Sequence, residues 1–165
     1  MNVRIETAGD REAIHAVNTA AFGQPEEAEL VDRLRYEGAV LLSAVAETDN
    51  RIAGHVLFSR MHIETAGGLV AAVALAPVAV LPEFQRRGAG SQLIRYGLDL
   101  LRERGEEIVI VLGHPEYYPR FGFSTEKAAA LTSPFPKEAY MALELMPGAL
   151  AGIEGTVRYS AAFGL

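Results

Sequence analysis

The sequence predicts an α/β fold: a mixed central sheet with helices on both faces, in which an antiparallel N-terminal meander leads into a parallel pair of strands. Three observations predict it. Apolar, β-rich segments fill Val40 to Leu81 and are punctuated by turn signals at Asp49-Asn50 and Gly67-Gly68. Two stretches of helical periodicity precede them. After Leu81 the texture changes to loop, amphipathic helix and a short apolar run, which implies a right-handed crossover between parallel strands. With 165 residues, half of them hydrophobic and 22% charged, the chain reads as one globular domain, 1–165, around one core.

In order, Asn2 to Glu6 alternates and reads as a short strand. Thr7-Ala8-Gly9-Asp10 matches a capping signal, and Ile14, Val17 and Ala21 follow at helical spacing. Pro25 suits the first turn of a second helix whose apolar face is Leu30, Val31 and Leu34 and whose stop is Gly38. Val40 to Glu47 and Arg51 to Phe58 flank the Asp49-Asn50 turn. Val56 to Glu64 meets Leu69 to Leu81 across Gly67-Gly68 as a hairpin. Pro82 to Gly88 is a loop. Ala89 to Arg104 is a helix with a stripe of Ile94, Leu98 and Leu101, and Gly105 ends it. Ile108 to Leu112 is a strand buried on both faces. In the tail, Tyr140 to Leu145 and Gly155 to Tyr159 read as strands.

Composition excludes several functions. A net charge of −6 argues against nucleic-acid binding, which needs a basic surface. It suits a cationic or amine substrate through long-range attraction, and equally an ordinary mildly acidic enzyme. The absence of cysteine excludes disulfides, cysteine-ligated metal sites and a cysteine acyl-enzyme. The histidines His15, His55, His62 and His114 lack zinc-type spacing, so no metal is expected. The N-terminus has no signal-peptide apolar region. The longest apolar stretch, Leu69 to Leu81, is broken by Pro77 and falls short of the ~20 residues of a membrane span. The expected location is the cytoplasm, away from membranes.

The chemistry-bearing motif is Gln85-Arg86-Arg87-Gly88-Ala89-Gly90, placed between a strand and a helix. Its glycines let the backbone turn tightly, and the free N–H groups of the first helical turn favour an anion such as a pyrophosphate. Arg86 and Arg87 add charge at the rim. The alternative is a plain junction loop. The turn lacks the three-glycine dinucleotide pattern and the Gly-Lys-Ser/Thr of a nucleotide loop. The preceding strand carries Pro77, which cannot donate to a ladder. Either the strand parts from its neighbour there, freeing backbone groups near Val78 to Leu81 for an amide-bearing ligand, or Pro77 marks an edge strand.

Val80-x-Pro82-x-x-Gln85-x-x-Gly88-x-Gly90, the helix, Ile108 to Leu112, and then Tyr118 followed by Gly122-Phe123 together resemble the GNAT superfamily of acyl-CoA-dependent N-acetyltransferases. Leu75 to Val80 and His114 to Phe123 are similar to its YhbS-like bacterial subgroup. The resemblance implies a wedge between two splayed parallel strands, Leu69–Leu81 and Ile108–Leu112. It implies acetyl-CoA as co-substrate, with pantetheine bonding backbone near Ala79 and Val80, the pyrophosphate on Arg87 to Ser91, and Val78, Gln85 and Arg86 among the cofactor-binding residues. Many members carry an asparagine and a longer helix after the second wedge strand; here that stretch is short and holds His114, Pro115 and Pro119.

The implied reaction is direct attack of a primary amine on the bound thioester. Its acceptor would be a small molecule or a peptide, and a homodimer is left open. Tyr118, four residues before Gly122, is the candidate acid for the departing thiolate; packing aromatics are the alternative for Tyr117 and Tyr118. Glu29, His55 and His114 are candidates for the acceptor side and for the base. Against them stand a helix-dipole partner for Glu29, a core histidine for His55 and a loop histidine for His114. The reading from another class is a non-catalytic acyl-CoA-binding sensor or partner-binding module.

Overall fold

The computed structural model describes residues 1–165. Strand β1 (Asn2–Ile5) leads through a 3-10 turn into helix α1 (Arg11–Phe22). The Asp10 carboxylate accepts the Thr7 backbone N–H at 2.7 Å, as the capping signal requires. Helix α2 (Glu26–Tyr36) follows Pro25 and ends before Gly38, whose φ of 69° lets the chain reverse. Strands β2 (Val40–Thr48), β3 (Arg51–Thr65) and β4 (Gly68–Val80) then form the antiparallel meander.

The two hairpins differ in how well the sequence locates them. Asp49 and Asn50 have φ of 52° and 59°, the left-handed pair of a tight hairpin turn. In the second, Thr65 pairs with Gly68, so the turn is Ala66-Gly67 and Gly68 already belongs to the strand. The segments read separately as Arg51–Phe58 and Val56–Glu64 are one 15-residue strand.

Helix α3 (Ala89–Glu103) crosses back to β5 (Ile108–Leu112), which pairs parallel with β4. Short β6 (Leu131–Thr132), absent from the sequence reading, and β8 (Gly155–Arg158) pair with each other, and β8 also pairs with the far end of β3. Strand β7 (Tyr140–Glu144) lies antiparallel to β5, giving the order β1-β2-β3-β4-β5-β7. No helix is long and apolar enough to cross a membrane.

Helix α3 covers one sheet face through Leu93, Ile94, Leu98 and Leu101, packed on Val56, Phe58, Val73, Leu75 and Val109. Each such buried side chain contributes about 1.5–3 kcal/mol relative to exposure. At Gly97 the ring of Phe58 comes so close that a Cβ would lie 2.1 Å from its Cε2. The other face is covered by α1 and α2, through Ile14, Val31 and Leu34, and further along by the C-terminal segment.

Pro77 sits at a β-bulge. Val56 pairs with Val78 and Phe58 with Leu75, so Ala76 and Pro77 together oppose Leu57 alone. The extra residue changes which face each side chain takes. Val73 and Leu75 face α3 before the bulge. After it, Val78 and Val80 face α3, whereas Ala79 and Leu81 pack with Val17 of α1.

Candidate active site

The site follows from how little of β4 pairs with β5. The parallel ladder is confined to Val73 with Val109 and Ala74 with Ile110; beyond Ala74 the strands diverge. The edge of β4 from Leu75 onward is thus free on the β5 side, in the place the proline suggested. Leu81 N–H donates to Ala53 O of the preceding strand segment at 2.8 Å. Antiparallel alternation therefore turns the N–H and C=O of Val80 the other way, into the gap. The Gln85 side chain, reaching back from the loop, donates from Nε2 to Val80 O at 3.0 Å.

A cleft of about 660 Å³ occupies this gap. One wall is the glycine turn. Gly88, with φ of 86°, caps α3, and Arg86, at φ of 64°, also lines the cleft. The first turn of α3 has no acidic residue, unlike those of α1 and α2, so nothing there competes for its free N–H groups. Ala89, Gly90 and Ser91 continue the wall, with Val78 and Val80 beside them.

The opposite wall is the segment after β5. His114 C=O accepts the N–H groups of Tyr117 and Tyr118, at 3.1 and 3.2 Å, folding the segment back over the cleft. The Tyr117 hydroxyl shares a 2.9 Å hydrogen bond with Ser91 Oγ, and Arg120 lies 4.4 Å above the Tyr117 ring. Tyr118 stacks on the backbone of Gly113: a Cβ there would lie 2.2 Å from its Cε2. It meets Phe123 edge to face at 5.9 Å. Burial, with Tyr117 beside it, pushes the Tyr118 phenol up to about 12. It therefore keeps its proton throughout the physiological range.

Of the residues predicted from sequence, Val78, Val80, Gln85, Arg86, Gly88, Ala89, Gly90, Ser91, His114 and Tyr118 gather at this one cleft. Four do not. Ala79 is 1% exposed, packed against α1, and is paired with His55 across β3 and β4. Arg87 lies over the Phe84 ring at 5.7 Å, outside the cleft lining. Glu29 is exposed on α2 near Arg33, at the 4.0 Å of an i,i+4 pair. His55 is fully buried. Asn18 Nδ2 donates to Ile14 O and to His55 Nδ1, which leaves His55 Nε2–H to donate to Ser43 Oγ at 2.8 Å. Burial, and then the nearby Arg35 charge, push its pKa down to about 3. His55 is a neutral core residue that no acceptor reaches.

Sequence reasoning missed Phe22, Phe84, Leu112, Gly113 and Arg120, which with Tyr117 complete the lining. Gly113, placed between a buried strand and an aromatic cluster, carried a usable signal; Phe22, at the end of α1, carried none.

The comparisons with known proteins agree with this geometry. Residues 2–125 match the family model of the acetyltransferase (GNAT) domain. The chain belongs to the GNAT family of N-acetyltransferases. It is 35% identical over 162 residues to the uncharacterized N-acetyltransferase YhbS of Escherichia coli K12, covering 96% of each chain. It is 38% identical over 139 residues to the uncharacterized N-acetyltransferase YjhQ of the same organism, covering 81% of this chain and 77% of that one. Among solved structures, E. coli YhbS in complex with CoA superposes with a TM-score of 0.91 at 34% identity, over 99% of this chain and 92% of that one. A GNAT family acetyltransferase from Brucella melitensis in complex with acetyl-CoA gives a TM-score of 0.83 at 36% identity, over 98% and 97%. The splayed pair β4–β5 and the glycine turn are thus the GNAT fold in this chain.

Proposed function

We propose that this GNAT N-acetyltransferase moves an acetyl group from acetyl-CoA to a primary amine by direct attack in the β4–β5 cleft. The observation that carries the reading is the free edge of β4 beside an α3 N-terminus unopposed by acids. The two solved relatives bind CoA and acetyl-CoA, which supports the same donor here. On this reading Gly88 to Ser91 hold the pyrophosphate with their backbone N–H groups, and Arg86 and Arg120 add charge. The backbone of Val78 and Val80 takes the amide-bearing arm of the donor as a strand would. The Tyr117 hydroxyl, fixed against Ser91, completes the phosphate wall.

The amine lone pair forms the C–N bond at the thioester carbonyl, and the C–S bond breaks. Nitrogen loses one proton and sulfur gains one, so the reaction balances without an acyl-enzyme. Tyr118 supplies a hydrogen bond to the sulfur as negative charge develops. Full proton transfer from a phenol held near 12 to a thiolate of ordinary pKa, about 8.5, is uphill by roughly 5 kcal/mol, so the bond matters more than the transfer. A charge-assisted hydrogen bond is worth about 1.5–3 kcal/mol, or roughly 10- to 150-fold in rate. His114 takes the proton from nitrogen. The cleft lining holds no carboxylate, and His114 is its one imidazole, which makes it the side chain suited to accept that proton.

The test is amine-dependent release of thiol from acetyl-CoA. Tyr118→Phe is expected to lower kcat within the range above while acetyl-CoA affinity holds. His114→Ala is expected to lose turnover that added imidazole partly restores. Unchanged turnover in Tyr118→Phe, or a burst of acetylated protein, overturns the mechanism.

A further inference from the structure

The cleft changes character as it passes through the sheet. On the α3 face its walls are the glycine turn, Arg86, Arg120 and the Tyr117 hydroxyl. On the opposite face they are apolar. Phe22, the last residue of α1, is 40% exposed, and Leu112, the last residue of β5, is 44% exposed. By strand alternation Leu112 shares a face with Ile108 and Ile110, which pack with Met61 and Ala74 on the face away from α3. Helix α1 lies on that same face, so Phe22 and Leu112 flank one opening, bare where β4 and β5 part.

Charge runs the same way. The chain carries −6 overall, yet no Asp or Glu lines the cleft. Several acids are neutralised elsewhere: Glu6 by Arg35, Asp10 by Arg4, Glu144 by Lys127 and Glu64 by Arg158. Aromatic rings that hold a cation elsewhere already do so here. Phe84 has Arg51 at 5.5 Å and Arg87 at 5.7 Å, and Tyr117 has Arg120. A second ammonium group on an acceptor would have cations nearby and no carboxylate of the cleft lining to pair with.

We infer that the acceptor is a primary amine carried on an apolar group, such as an arylalkyl amine, that covers Phe22 and Leu112, and that polyamines and lysine-rich peptides are poor acceptors. The inference rests on the acetyl-transfer reading of the same cleft. It reverses what the bulk charge suggests, because the field at the acceptor is set by the nearest groups rather than by the total.

The experiment compares phenethylamine with spermidine as acceptors for the full chain with acetyl-CoA. The expected result is a kcat/KM at least about tenfold higher for phenethylamine, the discrimination that removing one apolar contact or adding one unpaired charge produces. Phe22→Ala should shrink that ratio through KM for phenethylamine. Leu112→Glu should raise spermidine turnover. A preference for spermidine in the unmodified protein overturns the acceptor class and leaves the transferase reading standing. If neither amine is acetylated while other primary amines are, the acceptor class is overturned; if no primary amine releases thiol although acetyl-CoA binds, the transferase reading fails. The acceptor class is then judged by calorimetry of the two amines against the CoA-loaded protein, where tighter spermidine binding overturns it.

Discussion

Gly113→Ala tests the mechanism through a methyl group aimed at the Tyr118 ring. Gly113 has no positive φ, so alanine adopts its backbone without strain, and the only new feature is the Cβ. That atom would lie 2.2 Å from Tyr118 Cε2, 2.7 Å from Cδ2 and 3.2 Å from Cζ. Carbon atoms need about 3.5 Å, so the ring must retreat by more than ~1 Å. It has little freedom to tilt instead, with Tyr117 at 5.1 Å and Phe123 at 5.9 Å between ring centroids. A displacement of ~1 Å in a positioned group costs on the order of 100-fold in rate. Gly113→Ala should therefore lower kcat by about that factor while the acetyl-CoA dissociation constant stays within a few-fold. Overpacking should also cost about 1–3 kcal/mol of stability, so the assay is run well below the melting temperature. Stopped thiol-release assays on Gly113→Ala, Tyr118→Phe and the double variant decide the matter. Both single changes act on one phenol, so the double variant should be little worse than the poorer single. Additive losses, or a Gly113→Ala enzyme with kcat within about threefold of the parent, would refute the role given to Tyr118.

Two further predictions concern stability. Gly97→Ala improves helix propensity by roughly 1 kcal/mol but places a Cβ 2.1 Å from Cε2 and 2.6 Å from Cζ of the fully buried Phe58. Overpacking of about 1–3 kcal/mol wins, so the urea midpoint should fall, and Phe58→Leu in the same chain should recover part of it; a raised midpoint contradicts this packing. For His55 the folded pKa is depressed to about 3, so the unfolded chain binds a proton near pH 6.5 that the folded chain refuses. Stability should therefore decline as pH falls from about 6.5 toward 3 and level off below, and His55→Gln should flatten that limb in urea midpoints taken at about pH 7, 5.5 and 4; equal slopes in the two proteins argue against a neutral buried His55.

The sequence made the fold legible wherever a local rule had one physical answer. The Gln85 to Gly90 turn is fixed by glycines that few other conformations explain, and the apolar run Ile108–Leu112 admits little but a buried strand. The side chain of Ala79 turns toward α1 because of the bulge at Ala76-Pro77, a property of two strands in register that one strand's sequence does not show. For His55 the core-histidine alternative is the one the fold adopts, and its partners Asn18 and Ser43 come from α1 and β2, far away in sequence. Glu29 was drawn toward the acceptor side by its place in the chain; the helix face it occupies turns it to Arg33 and solvent. Phe22 lines the cleft because α1 ends beside the gap, a tertiary placement with no local sequence signal.

The bulge also gives β4 a spatial reading frame. Upstream of Ala76 the strand is written for the packed sheet; downstream it is written for the cleft, one step out of phase. Deleting Ala76 and Pro77 together would bring Val78 opposite Leu57 in place of Val56. Val78 and Val80 would then be turned into the space beneath α1, and Ala79 and Leu81 out into the cleft, although none of the four had been changed. Loss of the bulged pair acts as a frameshift acts in a coding sequence, whereas loss of either residue alone leaves the downstream faces as they are.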